Sequence, residues 1–396
     1  MPALKGMRIL DMTQYEAGTS CTQALAWLGA DVVKVERPGI GDPSRNSMGG
    51  GSVDSEYFIN WNSNKKSITL ALETEKGRDI LLRMLPRFDV FVENFGPGVI
   101  EKLNIEYKVM KAIHPGIIYG RIKGFGTSGP YANYKSFDMV TQAAAGAYSV
   151  TGERDGPPLR PGSTTGDSGT GMQMALAVAA AYIQRLRTGK GQLIEISMQE
   201  AMIYYMRTAI STGSSWGERA ASRNGTGGSA AINVYSCSPF GPNDYISIVA
   251  ITPRMWRNLC EAIGRGDLLT DGRFEKPIDR QKNVEALIAE ISAWTKQHTK
   301  EEAMKILAEA DVPASAVFDT RDLFNNPHLQ ERGFIHIIDH KEHGKVPLMG
   351  WAPRMSESQV PIEAAPLLGE HTDEVLRQEL GLSDGQLQEL HQDGII

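Results

Sequence analysis

The sequence predicts a large α/β domain followed by a smaller α+β domain, and three observations carry that prediction. Short β-like runs alternate with helical ones through the first half, the arrangement of a parallel or mixed sheet covered on both faces. From 211 to 230 the pattern lapses into STGSSWGERAASRNGTGGSA, which has no apolar periodicity and reads as a linker. Beyond it a second mixed set of strand-like and helical pieces begins.

In chain order, MRILDM (7–12) reads as a strand, CTQALAWLGA (21–30) as a helix and DVVKVER (31–37) as the next strand. Further strands are expected at KSITLAL (66–72), DVFVEN (89–94), IIYGRIKGF (117–125) and QLIEISM (192–198), with GRDILLRMLPRF (77–88) helical. After the linker, YISIVA (245–250) is strand-like, and PRMWRNLCEAI (253–263), VEALIAEISAWTKQ (284–297) and EEAMKILAEA (301–310) are helical. The tail returns to strand-like and helical pieces, and no internal repeat is visible.

A chain of 396 residues is long for one domain and comfortable for two. Hydrophobic residues make up 41% and charged residues 22%, ordinary globular usage. No apolar run reaches transmembrane length, and the start lacks the basic and apolar regions of a signal peptide, so a soluble cytoplasmic protein without a membrane partner is expected. Cys21, Cys237 and Cys260 are widely spaced and odd in number, which indicates neither a disulfide framework nor a thiolate zinc site. The net charge of −6 without a Lys/Arg block argues against a nucleic-acid partner and favours small-molecule chemistry.

GFGTSG (124–129) matches GxGxxG and follows a strand, but Pro130 and Tyr131 follow where a dinucleotide site needs a helix opening, so a Gly-rich turn is the better reading. HIIDHKEHG (336–344) gathers three histidines and Asp339 without a ligand spacing, and its alternation suits a strand running into a polar turn; no metal is expected. The large α/β half holds a single histidine, His114 in KAIHPG, which leaves Ser-His or Cys-His hydrolysis poorly supported.

Carboxylate chemistry remains. In GSTTGDSGTGM (162–172) one acid, Asp167, sits among Gly, Ser and Thr directly before the apolar run MQMALAVAAAYIQRL. Such an acid either caps the helix or acts as a covalent nucleophile on an acyl carbon. Small neighbours admit a bulky acyl group, and the helix N-terminus is expected to keep the acid ionised.

LKGMRILDMTQYEAGTSCTQALAWLGADVVKVERPGIGDPSR, VENFGPGVIEKL, DGPPLRPGSTTGDSGTGM, TGKGQLIEISMQEAM and APLLGEHTDEVL together resemble the class III CoA-transferases, the family of formyl-CoA transferase and carnitine CoA-transferase. The resemblance runs in order from about residue 4 to the C-terminus. It implies a Rossmann-like large domain built from 1–210 and completed by 330–396, a linker at 211–224, a small domain at 225–325, a return segment at 326–396, and an interlocked homodimer.

The resemblance also implies that Asp167 is the nucleophile, taking an acyl-CoA thioester through an aspartyl anhydride and an aspartyl-CoA thioester before CoA passes to an acceptor carboxylate. No permanently bound cofactor is implied; coenzyme A enters as substrate. Glu16 and Ala17 are expected beside the thioester, Arg37 near the nucleotide phosphates, and Leu70, Asn94, Phe95 and Lys102 along CoA. Lys135 is expected near the pantetheine or a phosphate, and Gly227 and Gly228 are candidate oxyanion donors. Arg37 and Lys102 have an independent rationale, because a polyanion needs cations on an acidic protein.

The chain departs from members that use oxalate. It has Glu16 where they have Gln, NSMGGG (46–51) where they carry a Trp, Phe137 where they have Tyr, and GTGG (225–228) where they run four glycines; Tyr57 matches. Added charge and lost bulk point to a dicarboxylate larger than oxalate. Two alternatives stay open: an acyl-CoA racemase, although the His such enzymes place before the Asp is Phe137 here, and a CoA-binding subunit of a heteromeric transferase.

Overall fold

A computed structural model describes residues 1–47, 54–227, 229–230 and 232–396. Its contacts divide the chain into a first unit, residues 1–148, 160–219 and 333–396, and a second, residues 149–159 and 220–332.

The first unit runs β1 (Arg8–Met12), α1 (Ala17–Trp27), β2 (Asp31–Glu36), α2 (Glu56–Asn62), β3 (Lys66–Thr69), α3 (Glu75–Met84), β4 (Val90–Glu93), α4 (Val99–Lys102), α5 (Tyr107–Ile113) and β5 (Ile118–Lys123). It continues through α6 (Asp138–Ala144), α7 (Thr165–Thr188), β6 (Leu193–Ser197) and α8 (Met198–Tyr205). The six strands form one parallel sheet in the order β3-β2-β1-β4-β5-β6, so the strand order reverses between β1 and β4.

Alternation along β1 explains the two layers. Ile9 joins Val32, Val90 and residues of α1 and α7 on one face. Leu10 joins Val33, Phe91 and Val375, Leu376, Leu387 and Leu390 of two C-terminal helices on the other. Val-Val-Lys-Val in β2 follows the same period, which places Lys34 on the Val32 face, fully buried, beside Asp11 in register.

The second unit packs Trp256, Leu259, Phe274, Leu287, Ile291 and Leu307 into its own core. Its antiparallel sheet has the order β7 (Ile232–Ser236), β8 (Tyr245–Val249), β9 (Ala314–Ala316). Residues 149–159, read from sequence as part of the large domain, cluster with this unit because the Arg223 guanidinium donates to the carbonyls of Ser149, Glu153 and Gly156. Part of the expected linker is helical, at Arg207–Gly213, and the first unit extends to residue 219.

Two motifs resolve simply. GFGTSG leads from β5 into a turn, where Thr127 donates its N–H to the Glu195 carboxylate at 2.8 Å. The histidine-rich segment is a hairpin of β10 (Ile335–His340) and β11 (Gly344–Met349). No helix among the described residues is long and apolar enough to cross a membrane.

Candidate active site

Where strand order reverses in an open parallel sheet, the loops leave in opposite directions and open a crevice at the carboxyl ends. Here Gln14 and Tyr15 after β1, Asn94 and Phe95 after β4, and Lys123 and Gly124 at the end of β5 border a cavity of about 230 Å³. Ala17, Lys135, Phe137 and Asp167 complete that wall. A second cavity of about 340 Å³ lies over the ends of β1 and β2, with Thr13, Arg37, Leu70, Glu73 and Val99 on its walls. Gln14 and Phe95 border both, so the two cavities adjoin.

The Gly/Ser/Thr run around Asp167 has a packing cause. A Cβ on Gly166 would stand 2.8 Å from Thr141 Oγ1 of α6, one on Gly169 2.6 Å from the Tyr205 ring of α8, and one on Gly171 2.0 Å from Ser20 Oγ of α1. Three glycines thus let three helices approach the first turns of α7 at backbone distance. The close approach of α1 brings Glu16, at its N-terminus, to the start of α7, where Thr164 Oγ1 donates to Glu16 Oε1 at 2.5 Å.

Asp167 is not the helix cap. Thr164 occupies that position without a side-chain cap bond, and Asp167 stands in the first turn, its carboxylate making no hydrogen bond or ion pair among the described residues. Its backbone N–H donates to Asp138 Oδ1 at 3.2 Å. Asp138, buried at the start of α6, is held by Gln142 Nε2 at 2.7 Å and approached by Arg160 at 3.8 Å.

Three carboxylates therefore meet in one place, and the electrostatics reverse the sequence expectation of an ionised nucleophile. Burial, then the Glu16 charge, then the Asp138 charge push the Asp167 carboxyl up to about 8. Glu16, 2% exposed, is raised by burial and by Asp138 although Thr164 and Tyr57 donate hydroxyls to it. Burial and the neighbouring carboxylates also raise the Tyr57 phenol, so it stays a donor at 3.3 Å from Glu16 Oε2.

The remaining expected residues fall into groups. Phe137 lies exposed on the cavity rim, edge-on to Tyr15 with ring centroids 5.9 Å apart. Lys135 borders the first cavity without an ion pair among the described residues, whereas Arg37 pairs with Glu73 at 2.9 Å. Lys102 is exposed at the end of α4 and borders neither cavity. Asn94 spends its amide on the chain: Oδ1 accepts from Gln14 N–H and Nδ2 donates to the Gln14 carbonyl, both at 2.8 Å. Gly227 belongs to the second unit, and its N–H donates to the Asn224 carbonyl, so an oxyanion role requires that bond to open. Gly228 and most of the 46–51 stretch lie outside the described residues.

Sequence reading missed Asp138, Arg160, Lys34 and Asp42. Lys34 did carry a signal, a charge at an inward position of an apolar strand.

A family model described as CoA-transferase family III matches residues 4–372. The chain belongs to CoA-transferase family III. A formyl-CoA:oxalate CoA-transferase of Rhodopseudomonas palustris is 39% identical over all of this chain and 97% of its own. One of Streptomyces coelicolor is 37% identical over all of this chain and 99% of its own. A CAIB/BAIF family protein from Brucella suis matches in structure with a TM-score of 0.85 and 30% identity, covering 95% of this chain and 99% of that one. As a CoA-transferase, the protein handles an extended polyanionic thioester, and Asp167 and the Arg37 cation border two adjoining cavities.

Proposed function

We propose that this CoA-transferase moves CoA from an acyl-CoA thioester to a dicarboxylic acid, with Asp167 as covalent nucleophile. The observation that carries the reading is the Asp167 carboxylate, unbonded and set in the wall of the switch-point cavity among residues that crowd its helix. Ionised Asp167 attacks the thioester carbonyl, giving an aspartyl-acyl anhydride and CoA thiolate. The thiolate attacks the aspartyl carbonyl, releasing the donor acid and leaving an aspartyl-CoA thioester. The acceptor carboxylate opens that thioester to a new anhydride, and the thiolate takes the acceptor acyl group, which restores Asp167.

The acceptor brings its negative charge to a site that, with Asp167 held as the thioester, still carries Glu16 and Asp138, so it needs a cation. Arg160 supports a second acceptor carboxylate: its only partner among the described residues is Asp138, its side chain is 45% exposed, and most of its donor fork is free. The R. palustris and S. coelicolor relatives are named for formyl-CoA and oxalate, which places both in the substrate panel. Glu16 and Phe137 support an acceptor larger than oxalate.

An interlocked homodimer belongs to the same reading. Leu176 is 73% and Leu186 68% exposed on α7, with Met172, Ile183 and Tyr204 of α8 also uncovered, a face a partner subunit would bury.

Incubation with formyl-CoA, acetyl-CoA or succinyl-CoA and a panel of mono- and dicarboxylates, followed by chromatography of CoA esters, tests the proposal. New esters of dicarboxylates that vanish in Asp167→Ala are expected. Exchange that survives the substitution overturns the nucleophile, and oxalate outpacing every larger acid overturns the acceptor class. Light scattering in solution should give twice the chain mass.

A further inference from the structure

The turn that delivers Glu16 is unusually well held. Residues 13–15 leave β1 and reverse into α1, and Tyr15 takes φ +57°, a left-handed conformation that costs a non-glycine residue energy. A turn of this kind usually exposes some of its peptide groups to water. Here every peptide N–H and carbonyl of the three residues meets a side chain. Thr13 N–H donates to Asp11 Oδ1 at 2.9 Å, and the Thr13 carbonyl accepts from Lys34 Nζ at 2.6 Å. Gln14 exchanges both of its groups with the Asn94 amide. Tyr15 N–H donates to Asp42 Oδ1 at 3.2 Å, and its carbonyl accepts from the Thr19 hydroxyl.

Three of these partners come from outside β1 and α1, the elements that the turn joins. Lys34 lies in β2, Asn94 follows β4, and Asp42 lies in the loop after β2. Lys34 and Asp42 also pair with each other at 2.9 Å, both wholly inaccessible to solvent. A buried ion pair contributes little net stability over an apolar replacement, but it fixes geometry because neither partner can move without stranding the other. Asn94 is similarly exacting: only a side chain with one donor and one acceptor can satisfy both groups of Gln14.

We propose that Lys34, Asp42 and Asn94 are positioning residues, which clamp residues 13–15 so that the Glu16 carboxylate is held beside Asp167. The clamp acts on turnover rather than on CoA affinity, and it rests on the reading of Asp167 as nucleophile. It also reassigns Asn94, whose expected role along the cofactor would show in binding. A displacement of about 1 Å at a reacting group costs up to roughly 100-fold in rate, whereas Leu70, Val99, Lys123 and Lys135, which border the same cavities, stand on other segments that the clamp does not hold.

The experiment is a double-mutant cycle. Asn94→Ala is expected to lower kcat about 10- to 100-fold with the KM for acyl-CoA within about threefold. In a Glu16→Ala background the same substitution should cost less than about threefold, because the group it positions is gone. Asn94→Asp keeps the volume and the acceptor but loses the donor, and it should give the same split if Asn94→Ala folds poorly. A raised KM with unchanged kcat, or effects of the two substitutions that simply multiply, overturns the inference. Asp167→Ala measured alongside separates the two readings: activity retained there overturns the nucleophile, while activity lost there together with multiplying effects overturns the clamp alone.

Discussion

Two groups of buried charges lie a few residues apart in the first unit, and they are built on opposite plans. Under the turn, signs alternate: Lys65 Nζ meets Asp11 Oδ2 at 3.0 Å, and Lys34 meets Asp42. Burial alone would raise the Asp11 carboxyl, but Lys65, Lys34 and two hydroxyls hold it down at about 2. At the start of α7 three acids gather, a cation, Arg160, stands 3.8 Å from one of them, Asp138, and Asp167 is pushed to about 8. Buried beside cations, one group is locked in its charged form; buried beside other acids, the other is driven towards its protonated form. A balanced cluster fixes shape, while a single-sign cluster stores the repulsion that a nucleophile can release by bonding.

The largest expected effect removes the loaded side. Asp167→Ala should lower CoA exchange on the order of a thousandfold or more while the protein stays folded and CoA binding changes little. On the balanced side, Lys65→Met strands Asp11 in the core and should cost about 3–5 kcal/mol in denaturant unfolding, part of which Asp11→Asn added to it should recover. Between the two lies the packing that joins them. Gly171→Ala drives a methyl into Ser20 Oγ and the Ala17 carbonyl, so a loss of about 1–3 kcal/mol is expected, with reduced turnover as α1 withdraws Glu16.

Two smaller effects sharpen the electrostatics. The folded Asp167 keeps a proton between pH 4 and 8 that the unfolded chain, near 3.9, has released, so its contribution to stability falls as pH rises through that window. Asp167→Asn should therefore be about 1–2 kcal/mol more stable than the parent at pH 9 and no more stable at pH 4, by melting at both values. The same ionisation should make kcat/KM for acyl-CoA rise with pH towards 8. Glu16→Gln removes a facing charge and should move that rise down by about 1 pH unit, with Asp138 and the raised Tyr57 left in place. A profile that does not move would assign the shift to burial and Asp138 without Glu16.

Much of this was legible in the residues. MRILDM, DVVKVER and DVFVEN announced strands because their apolar period is local, and all three lie within one residue or so of β1, β2 and β4. Asp167 stood out because a lone acid in a Gly/Ser/Thr run is rare enough to demand a reason. The structure adds a second reason: the glycines admit neighbouring helices.

Asp138 and Lys34 were present in the sequence but silent, since their roles depend on which side chain stands opposite. By itself the sequence determined the alternation of elements, the family and the acid at the centre, all properties of neighbours along the chain or of ordered motifs. Only the tertiary structure decided that three carboxylates meet, that Asp167 is no cap, and that Asn94 grips a turn. Coulomb and desolvation energies depend on distance through space, and residues 16, 138 and 167 become neighbours only when α1, α6 and α7 pack.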